Sequence, residues 1–372
     1  MTARCPACGT FAAETDRFCE ACGRQLGGRV ALPPNGNAPS GASAALAGDD
    51  GAPPSTTVQP HTGTTLSYDT QPLIVCENCG GRRFTTDGYC DQCGQLGPQR
   101  DRFEADLATV SLITDRGIAH AHNEDAVAAA ILASTSPGTP PTTVIAVCDG
   151  VSTSEDPQAA SGAAVRSGVD ACLAALVTAT PAETSVLAGL NAAAQAVRDI
   201  GTPDGRSPSC TYVSAVVQFD NAGGAHITVA NVGDSRAYWL QPGADGSRRL
   251  TADDSLAQAL VDSGAMDEAA SMNTPHAHVL TRWLGADGHS QPWSASCVRT
   301  LHTREPGVLL LCTDGLWNYL PDATALARIA TASAPLAAAR ALVDYALLAG
   351  GKDNITVALV PISFSAPEGD AP

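Results

Sequence analysis

Three apolar runs in this 372-residue chain carry an aspartate at one end. Val144-Ile145-Ala146-Val147-Cys148 leads into Asp149-Gly150. Val308-Leu309-Leu310-Leu311-Cys312 leads, through Thr313, into Asp314-Gly315. In a looser third copy, Lys352-Asp353-Asn354 immediately precedes the apolar run Ile355–Val360. Uninterrupted apolar runs of this length read as strands buried on both faces. A carboxylate at the mouth of such a strand costs free energy unless it is paired or bound to a cation. Three strand ends with one aspartate each are therefore expected to converge on a hard metal centre.

A second chemistry is written in the cysteines. Eight of the thirteen fall in two near-identical frames. Cys5 and Cys8 are followed by Cys19 and Cys22, and the same spacing recurs at Cys76, Cys79, Cys90 and Cys93. Two residues between paired cysteines let both thiolates of one tight turn reach one ion. Two such turns complete the closed four-sulfur site of structural zinc. The expectation is two small zinc ribbons, at 1–26 and 74–98, each holding one structural Zn²⁺ and too short to fold without it. Between them, 27–73 is dominated by Ala, Gly, Pro, Ser and Thr. Such a composition buries too little apolar surface to offset chain entropy and reads as a flexible linker.

The formal net charge is −17, and Lys352 is the only lysine. Before residue 101 there are 7 basic and 9 acidic side chains; beyond it there are 14 and 29. The acid excess therefore belongs to the C-terminal part, which should repel a phosphate backbone, so nucleic acid is not an expected partner. No stretch reaches the roughly 18 consecutive apolar residues of a membrane span, and the opening residues lack a signal-peptide pattern. Cysteines spaced for metal rather than for disulfides suit a reducing, cytoplasmic setting.

The elements that must position the aspartates can be read from about Ala105 onward. Leu107–Ile113 and Ala126–Leu132 read as strands ahead of the run at Val144. Gln158–Thr178 and Pro181–Ile200 have the spacing of two successive helices. Thr211–Phe219 and His226–Val232 read as a hairpin, with Ala237–Leu240 continuing the sheet. Short helices are expected at Leu256–Asp262 and Asp267–Met272. Helices at Ala323–Ala330 and Pro335–Leu348 precede the closing strand. Adjacent antiparallel strands with paired helices point to an α+β fold: two antiparallel sheets packed as a sandwich flanked by helices, plus the two ribbons.

One further segment precedes the central strand: Thr114-Asp115-Arg116-Gly117-Ile118-Ala119-His120-Ala121-His122-Asn123-Glu124-Asp125-Ala126. It is similar to the opening signature of the metal-dependent protein phosphatases of the protein phosphatase 2C (PPM) family. Four more pieces follow in the family's order: Val147-Cys148-Asp149-Gly150-Val151; Ala230-Asn231-Val232-Gly233-Asp234-Ser235-Arg236; Cys312-Thr313-Asp314-Gly315-Leu316-Trp317; and Gly351-Lys352-Asp353-Asn354-Ile355-Thr356-Val357. The resemblance runs from about Thr109 to Ile362, inside an expected catalytic domain at 105–365. It implies that Asp149 bridges two Mn²⁺ or Mg²⁺ ions, with the Gly150 carbonyl a further ligand. Asp314 and Asp353 would complete the first ion's protein ligands, and Glu124 and Asp125 would sit beside the pair, directly or through water. Asp234 resembles the aspartate that helps hold a third, weaker metal in bacterial members. A second reading makes Asp234 and Arg236 a structural pair at a strand end. Oxygen ligands without His or Cys suit such hard cations, and a pair of them lowers the pKa of a bridging water for in-line attack on phosphorus.

One departure stands out. Where the family usually places a phosphate-holding arginine, three residues after the glycine of the first motif, this chain has His120. Arginine is permanently charged and grips phosphate with two parallel donors, whereas histidine is smaller and titrates near neutrality. His120 is the candidate phosphate-contacting catalytic residue, with His122 and Arg116 as alternatives. Residues 252–285 resemble the family's flap, and Cys148 and Cys312 read as small buried strand residues. The resemblance implies a serine/threonine protein phosphatase acting on phosphoproteins made by a Ser/Thr kinase, with the ribbons docking partners. Two alternatives are a weak or inactive phosphatase-fold scaffold and a phosphatase of small phosphorylated molecules.

Overall fold

The computed structural model describes residues 101–134, 139–201, 207–220, 223–243, 245–274, 276–285, 291–294 and 296–364. It adds 79–81, 83 and 90–94, and the backbone of three short strands nearer the N-terminus. The chain divides into two units, Met1–Pro53 and Pro54–Pro372. In the first, β1 (Thr2–Arg4) pairs antiparallel with β2 (Phe11–Ala13).

The second unit opens with β3 (Gly63–Ser67), β4 (Arg102–Asp106), β5 (Ser111–Asp115), β6 (Ala126–Leu132) and β7 (Thr142–Cys148). Helices α1 (Pro157–Val177) and α2 (Ala182–Asp199) follow. Next come β8 (Ser209–Cys210), β9 (Tyr212–Phe219), β10 (Ala225–Val232), β11 (Arg236–Leu240) and β12 (Arg248–Arg249). Then come α3 (Leu256–Asp262), α4 (Glu268–Met272), β13 (Leu284–Gly285), β14 (Val298–Thr303) and β15 (Gly307–Cys312). The chain closes with α5 (Asp314–Trp317), α6 (Ala323–Ala330), α7 (Pro335–Leu348) and β16 (Ile355–Ile362).

Two six-stranded sheets result, ordered β14-β10-β9-β7-β6-β3 and β12-β11-β15-β16-β5-β4. Their neighbouring strands pair antiparallel. The apolar run of β7 shows why the layers stack. Val144, Ala146 and Cys148 face Ala160, Val165 and Leu190 of α1 and α2. Ile145 and Val147 alternate into the space between the sheets, against Leu309, Leu311, Ala358 and Val360. On the far side, Leu310 and Cys312 of β15 pack with Leu326, Leu342 and Val343 of α6 and α7. Side chains alternate across each strand, so a continuously apolar strand needs a cover on both faces, and four layers supply it.

Helix α1 starts on local chemistry: Asp156 accepts from the Ala159 amide, and Pro157 takes the first helical position. By length and composition α1 could cross a bilayer, unlike anything expected from the sequence, although half of its apolar stretch is buried in the fold. The first expected strand is displaced. Leu107–Ile113 straddles a hairpin turn between β4 and β5, in which the Leu107 amide donates to the Val110 carbonyl at 2.9 Å. Ala108 takes φ 66° there, with the Asp106 carboxylate accepting from its amide. Alanine is not a turn signal, so the sequence left this hairpin unmarked. The edge strand β14 and the short α5 also went unanticipated. Within the expected linker, β3 adds to the edge of the first sheet beside β6; the rest of 27–73 lies outside the described residues. So do Cys5, Cys8, Cys19, Cys22 and Cys76.

Candidate metal centre

The ends of the sandwich's central strands gather the acidic residues. Asp149 follows β7, Asp314 opens α5 just after β15, Asp353 lies in the loop before β16, and Asp125 immediately precedes β6. Burial raises the Asp149 carboxyl well above the usual range, and the charges of Asp125, Asp314, Asp353 and Asp234 push it further. Asp314 is pushed up to about 7 by burial and by Asp353, against hydrogen bonds from Asp149 and Asn318 that pull it down. Asp125 is raised by burial, with hydrogen bonds from Thr356 and Thr313 opposing and Asp353 and Asp314 adding to the rise. These mutual effects draw together aspartates up to 228 positions apart in the numbering, from Asp125 to Asp353.

Two carboxylate oxygens there, Asp125 Oδ1 and Asp314 Oδ1, are buried without a hydrogen-bond partner. An unmet buried acceptor costs about 1–3 kcal/mol, and crowded carboxylates cost more. A divalent cation removes both penalties. The donor set, carboxylate oxygens without sulfur, fits a hard ion such as Mn²⁺ or Mg²⁺.

A web of uncharged side chains sets the positions of these acids. Thr313 Oγ1 and Thr356 Oγ1 donate to Asp125 Oδ2 at 2.8 and 2.7 Å, joining the ends of β15 and β16 to the start of β6. Asn354 Nδ2 donates to the carbonyls of Arg116 and His122 at 2.7 and 3.0 Å. Its Oδ1 accepts from the Glu124 amide at 2.7 Å. One side chain thus clamps the whole 116–124 loop to the segment bearing Asp353. Two glycines permit the closeness: a Cβ at Gly117, where φ is +74°, would strike the Asp353 carbonyl, and one at Gly315 would strike that of Asn354. At the Asp149 end, its amide donates to Thr211 Oγ1 at 3.0 Å and its carbonyl accepts from the Thr211 amide at 2.8 Å. Gly150 forms an isolated bridge with Cys210.

The remaining expected residues are distributed unequally. His120 Nε2 lies 3.1 Å from Asp353 Oδ1, at the lip of the acidic cluster. Glu124 turns its carboxylate to Ser152 Oγ, 2.5 Å away in the loop after Gly150. Asp234 is buried, its carboxyl raised by burial and by Asp314 and Asp253. Arg236 does not turn to it; it forks onto Asp253, with NH2 to Oδ2 at 2.6 Å. Cys148 and Cys312 are fully buried strand residues.

One residue escaped the sequence reading. His278, near the end of the flap, offers a ring nitrogen to a cluster with Asp234 and Asp314 whose ligating atoms all lie within 4.8 Å of one another. Its signal in the sequence was only its place in the flap, since nothing local ties it to two aspartates on other elements. Asn354, Thr313 and Thr356 lay inside the quoted motifs without a role.

Away from this centre, the sulfurs of Cys79, Cys90 and Cys93 lie within 4.8 Å of one another, and Cys79 Sγ is 3.5 Å from Cys90 Sγ. Three cysteines of the second frame are grouped there; the fourth, Cys76, lies outside the described residues.

No protein-family model matches the chain. Among curated proteins it is 37% identical over 136 residues to the serine/threonine phosphatase stp of Listeria innocua, covering 37% of this chain and 52% of that protein. It is 29% identical over 267 residues to the serine/threonine protein phosphatase PstP of Mycobacterium tuberculosis, covering 69% of this chain and 46% of that one. The chain thus spans about half the length of the curated relatives it matches. Among solved structures, the PPM Ser-Thr phosphatase MsPP of Mycobacterium smegmatis, in complex with cacodylate, superposes with a TM-score of 0.53 at 26% identity. That match covers 70% of this chain and 100% of the other. The phosphatase Stp1 of Staphylococcus aureus, at 23% identity and a TM-score of 0.56 over 70% of this chain and 96% of the other, shares the fold. The second unit has the fold of the PPM phosphatases, and the relatives and structural neighbours of the chain are Ser/Thr phosphatases of that family.

Proposed function

We propose that this chain is a metal-dependent phosphatase that removes phosphate from phosphoserine and phosphothreonine of proteins. The observation that carries the proposal is the meeting of Asp149, Asp314, Asp353 and Asp125 at strand ends, with two buried carboxylate oxygens unpartnered. Asp149, Asp314 and Asp353, with the Gly150 carbonyl, would hold two Mn²⁺ or Mg²⁺ ions; Asp125 and Glu124 would support them, and Asp234 would serve a third. Bound there, the ions supply charge neutralisation and an acidified water for attack on phosphorus. The chain's own work is to hold the carboxylates fixed through Thr313, Thr356 and Asn354, and to offer donors to the phosphate from the 116–124 loop. His120, beside Asp353 at the lip of the cluster, would be one of them. Cys76, Cys79, Cys90 and Cys93 would hold one structural Zn²⁺, and Cys5, Cys8, Cys19 and Cys22 a second. On this reading the ribbons dock partners in kinase signalling, and the protein works in the cytoplasm.

His120, held by Asp353 where the family usually has arginine, favours a second reading: a phosphatase fold of low activity that acts as a scaffold. Hydrolysis of para-nitrophenyl phosphate and of a phosphothreonine peptide separates the two. The enzymatic reading expects Mn²⁺-dependent turnover that Asp149→Asn abolishes. Equal rates in both proteins, or no turnover with either cation, would favour the scaffold.

A further inference from the structure

Two loops meet at the lip of the acidic centre and bring positive groups with them. The Gly351 carbonyl accepts from the Ile118 amide at 2.7 Å and from the Ala119 amide at 3.2 Å. Asn354 ties the same loop a second time, through the carbonyls of Arg116 and His122. Lys352 stands between these two ties in the chain, and its own amide donates to the Tyr319 hydroxyl at 3.0 Å. The residue after it, Asp353, lies 3.1 Å from His120 Nε2 through its Oδ1. Beyond residue 100 the chain has 14 basic and 29 acidic side chains, yet Arg116, His120, His122 and Lys352 share this one joint. Lys352 is exposed, and among the described residues no carboxylate forms an ion pair with it. The joint is open to an incoming molecule, since Ile118, which abuts Gly351, is 64% exposed.

We infer that Lys352 is a phosphate-binding residue: its ammonium contacts the phosphoryl group of the substrate and supplies the positive charge that the chain lacks at position 120. The inference rests on the proposed phosphatase reading and deepens it. Lys352 lies inside the last quoted motif without a role. His120 has a ring nitrogen already engaged by Asp353, whereas an ammonium brings three donors and a full charge. Lysine meets phosphate as a point charge on a flexible four-carbon stem, so it can serve from a neighbouring loop where arginine's rigid fork could not. The backbone ties at Gly351, Lys352 and Asn354 fix the root of that stem, which limits the entropy lost when its tip docks.

The test uses the full, zinc-replete chain with saturating Mn²⁺ and compares the wild type with Lys352→Gln and Lys352→Arg. Turnover of para-nitrophenyl phosphate and of a phosphothreonine peptide is read alongside inhibition by inorganic phosphate. Lys352→Gln should raise KM for both substrates and weaken phosphate inhibition, each by about tenfold, the lower end of a hydrogen bond to a charged group, with kcat within about twofold. Lys352→Arg keeps the charge and should stay within about threefold of the wild type. Equilibrium dialysis should find equal Mn²⁺ in all three proteins. A KM raised for the peptide alone would assign Lys352 to other acidic groups of the substrate. Lost Mn²⁺, a fall in kcat alone, or an Arg variant as impaired as the Gln variant would assign it to the structure of the loop. Either result, or unchanged constants in Lys352→Gln, overturns the inference. If the wild type turns over neither substrate, the phosphatase reading fails, and calorimetric titration with inorganic phosphate still decides the role of Lys352. Binding weakened about tenfold in Lys352→Gln supports the contact; equal binding in both proteins, or none in the wild type, overturns it.

Discussion

The acidic centre and the thiol cluster gather ligands in opposite ways. Asp149, Asp314, Asp353 and Asp125 come from segments far apart in sequence, and a two-sheet core assembles them at its own cost. Cys79, Cys90 and Cys93 lie within one short stretch, where Cys90 is the buried hydrophobic residue among those described. In the first region the fold makes the site, and a bound cation would relieve the buried charge. In the second, on the proposed zinc reading, the site would make the fold, because a 25-residue segment is below the size at which burial alone sustains structure. Carboxylate oxygens suit hard ions and thiolate sulfurs suit soft ones, so the two clusters would select different metals.

The sharpest way to break this contrast is selective chelation. If the thiols hold zinc as proposed, stripping it should speed proteolysis or hydrogen exchange around Cys79, Cys90 and Cys93, while the melting transition of the two-sheet core stays within a few degrees. Stripping Mn²⁺ or Mg²⁺ should leave both regions folded. Coordinated unfolding of both on zinc removal would show that the two are not independent. A smaller effect is expected at Asn354, whose side chain clamps the 116–124 loop. Asn354→Ala should weaken Mn²⁺ binding by about 10- to 100-fold with secondary structure retained, as calorimetry and circular dichroism would show.

How far the sequence reached follows the same division. The strand Ala126–Leu132 and the helices Leu256–Asp262, Ala323–Ala330 and Pro335–Leu348 were legible to the residue, because periodicity and end signals agreed. The β4–β5 hairpin was not, since its turn rests on Ala108 at a positive φ rather than on Gly or Asn. Strand β14 alternates Val298, Arg299, Thr300, Leu301 and His302 at a sheet edge, a pattern too polar to stand out. Likewise the aspartates declared themselves by ending apolar runs. His278 had no such marker, because its meaning depends on where the flap returns over Trp317.

Two smaller effects sharpen the picture of the acidic centre. If His120 faces phosphate, His120→Arg should lower the KM for a phosphothreonine peptide roughly three- to tenfold, the size of an ordinary net hydrogen bond; an unchanged or higher KM counts against that orientation. Stability should also respond to pH in the Mn²⁺-free protein. Folding raises the Asp314 carboxyl from 3.8 to about 7, so between those values the folded chain holds a proton that the unfolded chain has released. Stability then falls as pH rises through this window. The melting temperature should be a few degrees higher near pH 5 than near pH 7.5, with a shallower slope in Asp314→Asn. An equal slope in that variant would assign the trend to other groups.

The central claim is that carboxylates from separate strand ends share divalent cations. Equilibrium dialysis of the zinc-replete full chain against Mn²⁺, followed by metal analysis, tests it most directly. Wild type should retain two or more Mn²⁺ per chain, and Asp149→Asn should lose that binding while its zinc content stays the same. Equal Mn²⁺ uptake by the two proteins would contradict the account.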